Sequence, residues 1–116
     1  MADTNTVIYL SDKHPVIEPL LDSECFFSFI TEIELLGKPG ISPEETERVK
    51  GVLSVCRKVP HEEAINEITI ALKQRYKIKV PDALIAATAL HLRIPLLTFD
   101  TGFTRVKELD MVLLES

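Results

Sequence analysis

The chain has 116 residues, 46% of them hydrophobic and 27% charged, with a net charge of −5. That balance describes one globular domain over 1–116, and it excludes both a disordered tail and a chain that coats nucleic acid by bulk positive charge. No apolar run approaches the ~20 residues of a membrane span, and no basic-then-apolar leader opens the chain, so a cytoplasmic protein without membrane contact is expected.

Taken in chain order, Thr4 to Leu10 reads as a short helix, followed by a Ser-Asp-Lys-His turn. Pro15 to Leu21 reads as a second short helix, with Pro15 in the first turn where its missing N–H does no harm. Cys25 to Ile30 (CFFSFI) is short and aromatic and suits a buried strand. Thr31 then starts a helix that ends near Gly37, with Lys-Pro-Gly as the turn beyond it. Ser42 and Glu45 fit a capping box with Pro43 at the first helical position, which predicts a helix over 43–54. A strand falls within Ser54 to Val59, and His61 to Tyr76 is a long amphipathic helix.

Val80-Pro81-Asp82 opens another helix that runs to Leu92, and its alanines at 83, 86, 87 and 89 allow close packing. Ile94 to Phe99 (IPLLTF) is a second buried strand and Met111 to Leu114 an edge strand. Strands alternating with helices predict an α/β fold with a mostly parallel sheet. Only Met1 and Ala2 precede Asp3, whereas a strand usually needs ~5 residues. The first strand is therefore expected to be truncated, or the chain to begin downstream of its natural start. Cys25 and Cys56 form neither a metal-spacing pair nor a disulfide framework, and Cys25 reads as a small buried hydrophobe.

Asp3, Glu34, Asp82 and Asp100 each stand at the entrance of a helical pattern or turn. Singly, each has a plain role: Glu34 completes a capping box with Thr31, Asp3 and Asp82 sit at helix starts, and Asp100 can cap the turn of Thr101 and Gly102. In a parallel α/β fold, however, such junctions gather along one sheet edge. Two like charges ~4 Å apart repel by about 4 kcal/mol at an effective dielectric of about 20, so four converging acids would demand a cation. Oxygen-only ligands suit Mg²⁺ or Mn²⁺ and disfavour zinc. Such a cation would serve hydrolysis of a phosphodiester. Lys73, Arg75, Lys77 and Lys79 crowd ahead of Asp82 and would form a phosphate-tracking wall, though basic residues also favour helix C-termini. No P-loop, Gly-x-Gly-x-x-Gly or Gly-x-Ser-x-Gly motif is present. His14, His61 and His91 are scattered and read as surface or packing residues, and Phe26, Phe27 and Phe29 as core.

Asp3-Thr4-Asn5, Ile30-Thr31-Glu32-Ile33-Glu34-Leu35-Leu36-Gly37, Pro81-Asp82-Ala83-Leu84-Ile85-Ala86-Ala87-Thr88-Ala89 and Leu97-Thr98-Phe99-Asp100 together resemble the PIN-domain family, in its VapC-type toxin branch. The resemblance covers almost the whole chain, and the Pro-Asp-Ala run is its most specific part. It implies a three-layer α/β/α endoribonuclease dependent on Mg²⁺ or Mn²⁺, homodimeric and paired with a small antitoxin. It further implies Asp3, Glu34, Asp82 and Asp100 as catalytic acids, of which Asp3, Asp82 and Asp100 hold the metal, with Thr4, Asn5 and Thr98 in support. Gly102 departs from relatives that carry an acid before the Phe. The rival expectation is a catalytically inactive PIN-like module that binds protein or RNA, with a magnesium-dependent phosphatase of small esters ranked below it.

Overall fold

The computed structural model describes residues 1–11 and 24–115. The helix expected over 15–21 and His14 lie outside the described residues. Elsewhere the chain forms helix α1 (Thr4–Ser11), strand β1 (Phe26–Ser28), helices α2 (Phe29–Leu36) and α3 (Pro43–Ser54), and strand β2 (Arg57–Val59). Helices α4 (Glu63–Arg75) and α5 (Val80–Leu92) follow, then strand β3 (Leu96–Thr98), a 3₁₀ turn (Thr101–Arg105) and strand β4 (Met111–Leu113).

The strands pair in parallel, β1 with β2 and β3 with β4. Ala2 joins the two pairs by bridging in parallel to Phe27 on one side and to Leu97 on the other. The Ala2 N–H donates to the Phe26 carbonyl at 2.9 Å, and the Leu97 N–H donates to the Met1 carbonyl at 2.7 Å. The sheet order is therefore β2, β1, Ala2, β3, β4. The first strand, expected to be nearly absent, is a stub of minimal length. Strands on both sides supply its hydrogen bonds, which is why so few residues suffice.

Alternation along these short strands sends side chains to two apolar clusters. Met1, Phe26 and Leu96 join Ile65, Leu72, Leu84 and Ile85 on the α4/α5 side. Ala2 and Phe27 join Val7, Leu35, Val49 and Leu53 beneath α1, α3 and the end of α2. Two helical layers thus enclose the sheet in the expected α/β/α arrangement. Fully burying a side chain such as Ile65 or Leu72 contributes about 2 kcal/mol. In α5 every residue from Ala83 to Ala89 is buried, and the alanines let α4 lie close against it. Glu62, the residue just before α4, pairs with His91 near the end of α5 at 2.7 Å, so the two helices run antiparallel.

Three sequence expectations need correction. The strand expected over 25–30 ends at Ser28, because Ser28 caps α2 by accepting the Ile30 N–H at 3.3 Å. Helix α2 therefore begins two residues before Thr31, and the capping box of Thr31 with Glu34 does not exist. Cys25 is half-buried, not a core residue, and its neighbour in the register is Cys56. By contrast, the Ser42 cap is present, with its hydroxyl accepting the Glu45 N–H at 3.1 Å. The Lys-Pro-Gly turn is also present, with Gly40 at φ 76° and the Ile41 N–H bonded to the Lys38 carbonyl at 3.2 Å. That φ belongs to the left-handed region, which glycine enters without cost. Among the described residues no helix is long and apolar enough to cross a membrane.

Candidate metal centre

The chain fills the sheet outward from its centre, first toward β2 and then, after α4 and α5, on the opposite side. The reversal of strand order lies between the stub and β3, and such switch points open a crevice at the carboxyl ends of the strands. Asp3 follows the stub and Asp100 follows β3, so both emerge at this crevice.

Asp3 is 3% exposed, yet it is fully partnered. Its Oδ1 accepts the Thr6 N–H at 2.9 Å and faces the Thr6 hydroxyl at 2.7 Å. That hydroxyl also lies 2.9 Å from the Leu97 carbonyl, so its single proton is shared between two acceptors. Oδ2 accepts the Thr98 hydroxyl at 2.5 Å. Thr98 in turn accepts the Asp100 N–H at 2.9 Å. One buried hydroxyl therefore ties the carboxylate of Asp3 to the backbone of Asp100.

Asp100 caps the 3₁₀ turn through Oδ1, which accepts the Gly102 N–H at 2.7 Å. A Cβ on Gly102 would stand 3.0 Å from that same oxygen, so a side chain here would crowd the carboxylate. The absent acid at 102 thus coincides with a backbone donor that orients Asp100. Glu34 does not reach back to Thr31; its Oε1 accepts the Thr4 hydroxyl at 2.7 Å. Thr4 also lies 3.4 Å from the hydroxyl of buried Thr31, so two motifs 27 to 30 positions apart in sequence meet through Thr4. Asn5 is exposed at the start of α1.

Asp82 occupies the first turn of α5 and is half-buried. Its carboxyl is raised above the ordinary value of 3.8, first by burial, then by the charges of Asp100, Glu34 and Asp3, against the opposing pull of Lys79. No hydrogen bond or ion pair relieves it among the described residues. The four acids picked out by sequence thus share one electrostatic neighbourhood. As they stand, no three His, Cys, Asp or Glu side chains among the described residues are grouped closely enough to grip an ion. The donor set consists of carboxylate oxygens, which fits a hard cation such as Mg²⁺ or Mn²⁺.

Asp82 and Asp100 also line a cleft of about 570 Å³, together with Lys73, Lys77, Ile78, Lys79, Gly102, Phe103 and Arg105. Lys73 is pinned by donating to the Ile78 carbonyl at 2.7 Å, and Arg105 by donating to the Lys77 carbonyl at 3.1 Å. Arg75, a sequence candidate for this wall, instead pairs with Glu108 at 2.9 Å and does not line the cleft. Sequence reasoning missed Arg105, which no local pattern marks, and Thr6. The spacing of Asp3 and Thr6 is a helix-cap signal that would have flagged the latter. His61 packs against Phe29 and His91 bonds Glu62, so neither joins the acids.

The family model of the PIN domain matches residues 1–109. The chain is a PIN domain. Among solved structures, the PIN domain resembles a toxin–antitoxin complex from Klebsiella pneumoniae with a TM-score of 0.78 and 29% identity, covering 96% of this chain and 93% of that one. It resembles VapBC-1 from nontypeable Haemophilus influenzae with a TM-score of 0.81 and 26% identity, covering 97% and 96%. VapBC2 from Rickettsia felis, bound to a promoter DNA fragment, shares the fold with a TM-score of 0.80 at 22% identity over 99% and 98%. No curated protein matches the sequence significantly. The VapC-type likeness read from the motifs therefore stands, and the α/β fold is that of these PIN domains.

Proposed function

We propose that this PIN domain is a metal-dependent endoribonuclease, the toxin of a toxin–antitoxin pair. One observation carries the reading: half-buried Asp82, with no hydrogen-bond or ion-pair partner among the described residues, lies within the field of Asp100, Glu34 and Asp3, and with Asp100 it lines a cleft walled by lysine and arginine. An acidic pocket that favours a dication, set beside a cationic track, suits a nucleic-acid backbone placed for cleavage. The likeness to toxin–antitoxin complexes supports the biological role.

In this reading Asp3, Asp82 and Asp100 would hold Mg²⁺ or Mn²⁺, and Glu34 would orient the attacking water. When bound, the cation supplies positive charge to a phosphoryl oxygen and makes water more acidic. Thr98 and Thr6 fix Asp3, the Gly102 N–H fixes Asp100, and Thr4 fixes Glu34, so three of the four acids present a set direction, and Asp82 does not. Asn5, beside Thr4, keeps the supporting role that the family resemblance implies. Lys73, Lys77, Lys79 and Arg105 would hold the phosphates on the leaving side, with Arg75 reassigned to its pairing with Glu108. By the family resemblance the 3′-oxygen would be the leaving group, so hydrolysis would leave a 5′-phosphate and a 3′-hydroxyl.

Cleavage of a fluorogenic RNA by metal-free protein, with Mn²⁺ added back, tests the activity. Expected are cleavage with Mn²⁺, none with chelator, and a rise in Tm as Mn²⁺ is titrated. Cleavage that persists in chelator, or a Tm indifferent to Mn²⁺, would count against it; the latter result is what the inactive-module reading expects. Replacing Lys73, Lys77 and Arg105 together by Gln should weaken RNA binding and flatten its salt dependence. The slope of log affinity against log salt should fall by about 2, at ~0.7 for each lost single-strand phosphate contact. An unchanged slope would remove the basic wall from the RNA path. The expected partners are a small antitoxin and a second copy of the chain; light scattering on the purified protein at micromolar concentration checks the homodimer.

A further inference from the structure

Cys25 and Cys56 lie about 30 positions apart in sequence but immediately precede the paired residues Phe26 and Arg57 of β1 and β2. The Arg57 N–H donates to the Cys25 carbonyl at 2.9 Å, which extends the parallel register onto the cysteines themselves. Paired residues of neighbouring strands point to the same face, and their Cα spacing falls in the range a disulfide spans. Both thiols are half-buried at the margin of the cluster formed by Ala2, Val7 and Phe27. The Cys25 thiol donates to the Phe26 carbonyl at 3.9 Å, and the neighbouring Cys56 holds the Cys25 thiol down at about 7 while its own is raised. Cys56 also lines a cleft of about 470 Å³ between α2, α3 and β2, whose cations are Lys50 and Lys58 and whose acid is Glu32. Cys25 does not line that cleft but is itself part-exposed, so small polar oxidants reach both sulfurs.

We propose that Cys25 and Cys56 form a peroxide-oxidisable dithiol that closes into a disulfide joining β1 to β2. The Cys25 thiolate attacks one oxygen of hydrogen peroxide, the O–O bond breaks, and hydroxide leaves, giving a sulfenic acid on Cys25. The Cys56 sulfur then attacks the Cys25 sulfur, the S–O bond breaks, and the hydroxyl departs as water with the Cys56 proton. In sum two thiols lose two electrons and two protons, and one peroxide becomes two waters. The pair sits at the amino ends of β1 and β2, about 10 Å along the strand from Ser28, so the crosslink leaves the acidic group in place. Its effect is to fasten a short edge strand by closing a loop of about 30 residues in the unfolded chain.

The test treats the folded, full-length protein with a few equivalents of hydrogen peroxide, then alkylates it in denaturant and measures intact mass. The expected product is a monomer ~2 Da lighter, with neither thiol alkylated and a Tm higher by on the order of 10 °C, both reversed by dithiothreitol. The Cys56→Ser variant should instead accumulate a Cys25 sulfenic acid that dimedone traps. Two alkylatable thiols after peroxide, a disulfide formed only between chains, or sulfinic acid on Cys25 with Cys56 still free would each overturn the proposal.

Discussion

Replacing Asp82 by Asn should reduce Mn²⁺-dependent RNA cleavage by ~10³-fold, equivalent to ~4 kcal/mol of lost transition-state stabilisation. It should also abolish the rise in Tm on adding Mn²⁺. The fold should survive, because the Asp82 side chain holds no structural hydrogen bond among the described residues and carries a charge that three neighbours oppose. Without metal the variant should be slightly more stable at neutral pH, by about 2 °C in Tm, the discount reflecting how exposed the group is. Full activity in this variant would remove Asp82 from the chemistry. Loss of activity together with loss of fold would reject the view that its charge is a burden on the metal-free protein.

The same residue gives a pH dependence whose sign is fixed. Its carboxyl in the folded chain binds a proton more tightly than the ordinary 3.8, so the folded state carries more protons than the unfolded state above that value. Stability of the metal-free protein therefore falls as pH rises from about that value through the raised folded-state value, then levels. Subtracting the pH–stability curve of Asp82→Asn isolates this component from those of other acids. A difference curve that rises with pH over that window would contradict the charge crowding. Protons also compete with the cation for Asp82, so the Mn²⁺-induced Tm shift should shrink as the solution is acidified.

Thr98→Val should damage both stability and activity, although it alters one hydroxyl and almost no volume. Thr98 is fully buried; its hydroxyl donates to Asp3 and accepts from the Asp100 backbone. Valine leaves a buried carboxylate oxygen short of its donor and a backbone N–H without its acceptor. The expected cost is about 2 kcal/mol, or roughly 8 °C in Tm, with activity down ~10–100-fold because the support of a proposed ligand is gone. Thr98→Ser, which keeps the hydroxyl, should recover most of both. Wild-type stability in the valine variant would show that the Asp3 carboxylate is held by Thr6 alone.

Much of the fold was legible along the chain. The Ser42 cap with Pro43, the Val80-Pro81-Asp82 helix start and the alanine run of α5 all express local preferences that tertiary packing reinforces. The same holds for Asp3, Asp82 and Asp100, whose positions at helix and turn starts follow from motifs within a few residues, but not for Glu34, which was expected at a helix entrance and lies in the last turn of α2. Where the reading failed, competition between distant groups decided. Thr31 and Glu34 fit a capping box in isolation, but Ser28 caps first and Thr4, 30 positions away, takes the Glu34 oxygen. The basic cluster was legible as composition only: a helical end turns Arg75 toward Glu108, while Arg105 arrives at the cleft from a separate turn.

By itself the sequence determined the order of elements, the Ser42 cap and the residue types available for chemistry, because each depends on neighbours within about one helical turn. Only the tertiary structure decided that a two-residue stub completes the sheet and that Thr98 joins Asp3, 95 positions away from it, to Asp100. It also decided which cations share a cleft with Asp82 and that two distant cysteines become strand neighbours. Those outcomes depend on strand register and on hydrogen bonds between segments with no local pattern in common, and such pairings exist only once the sheet has closed.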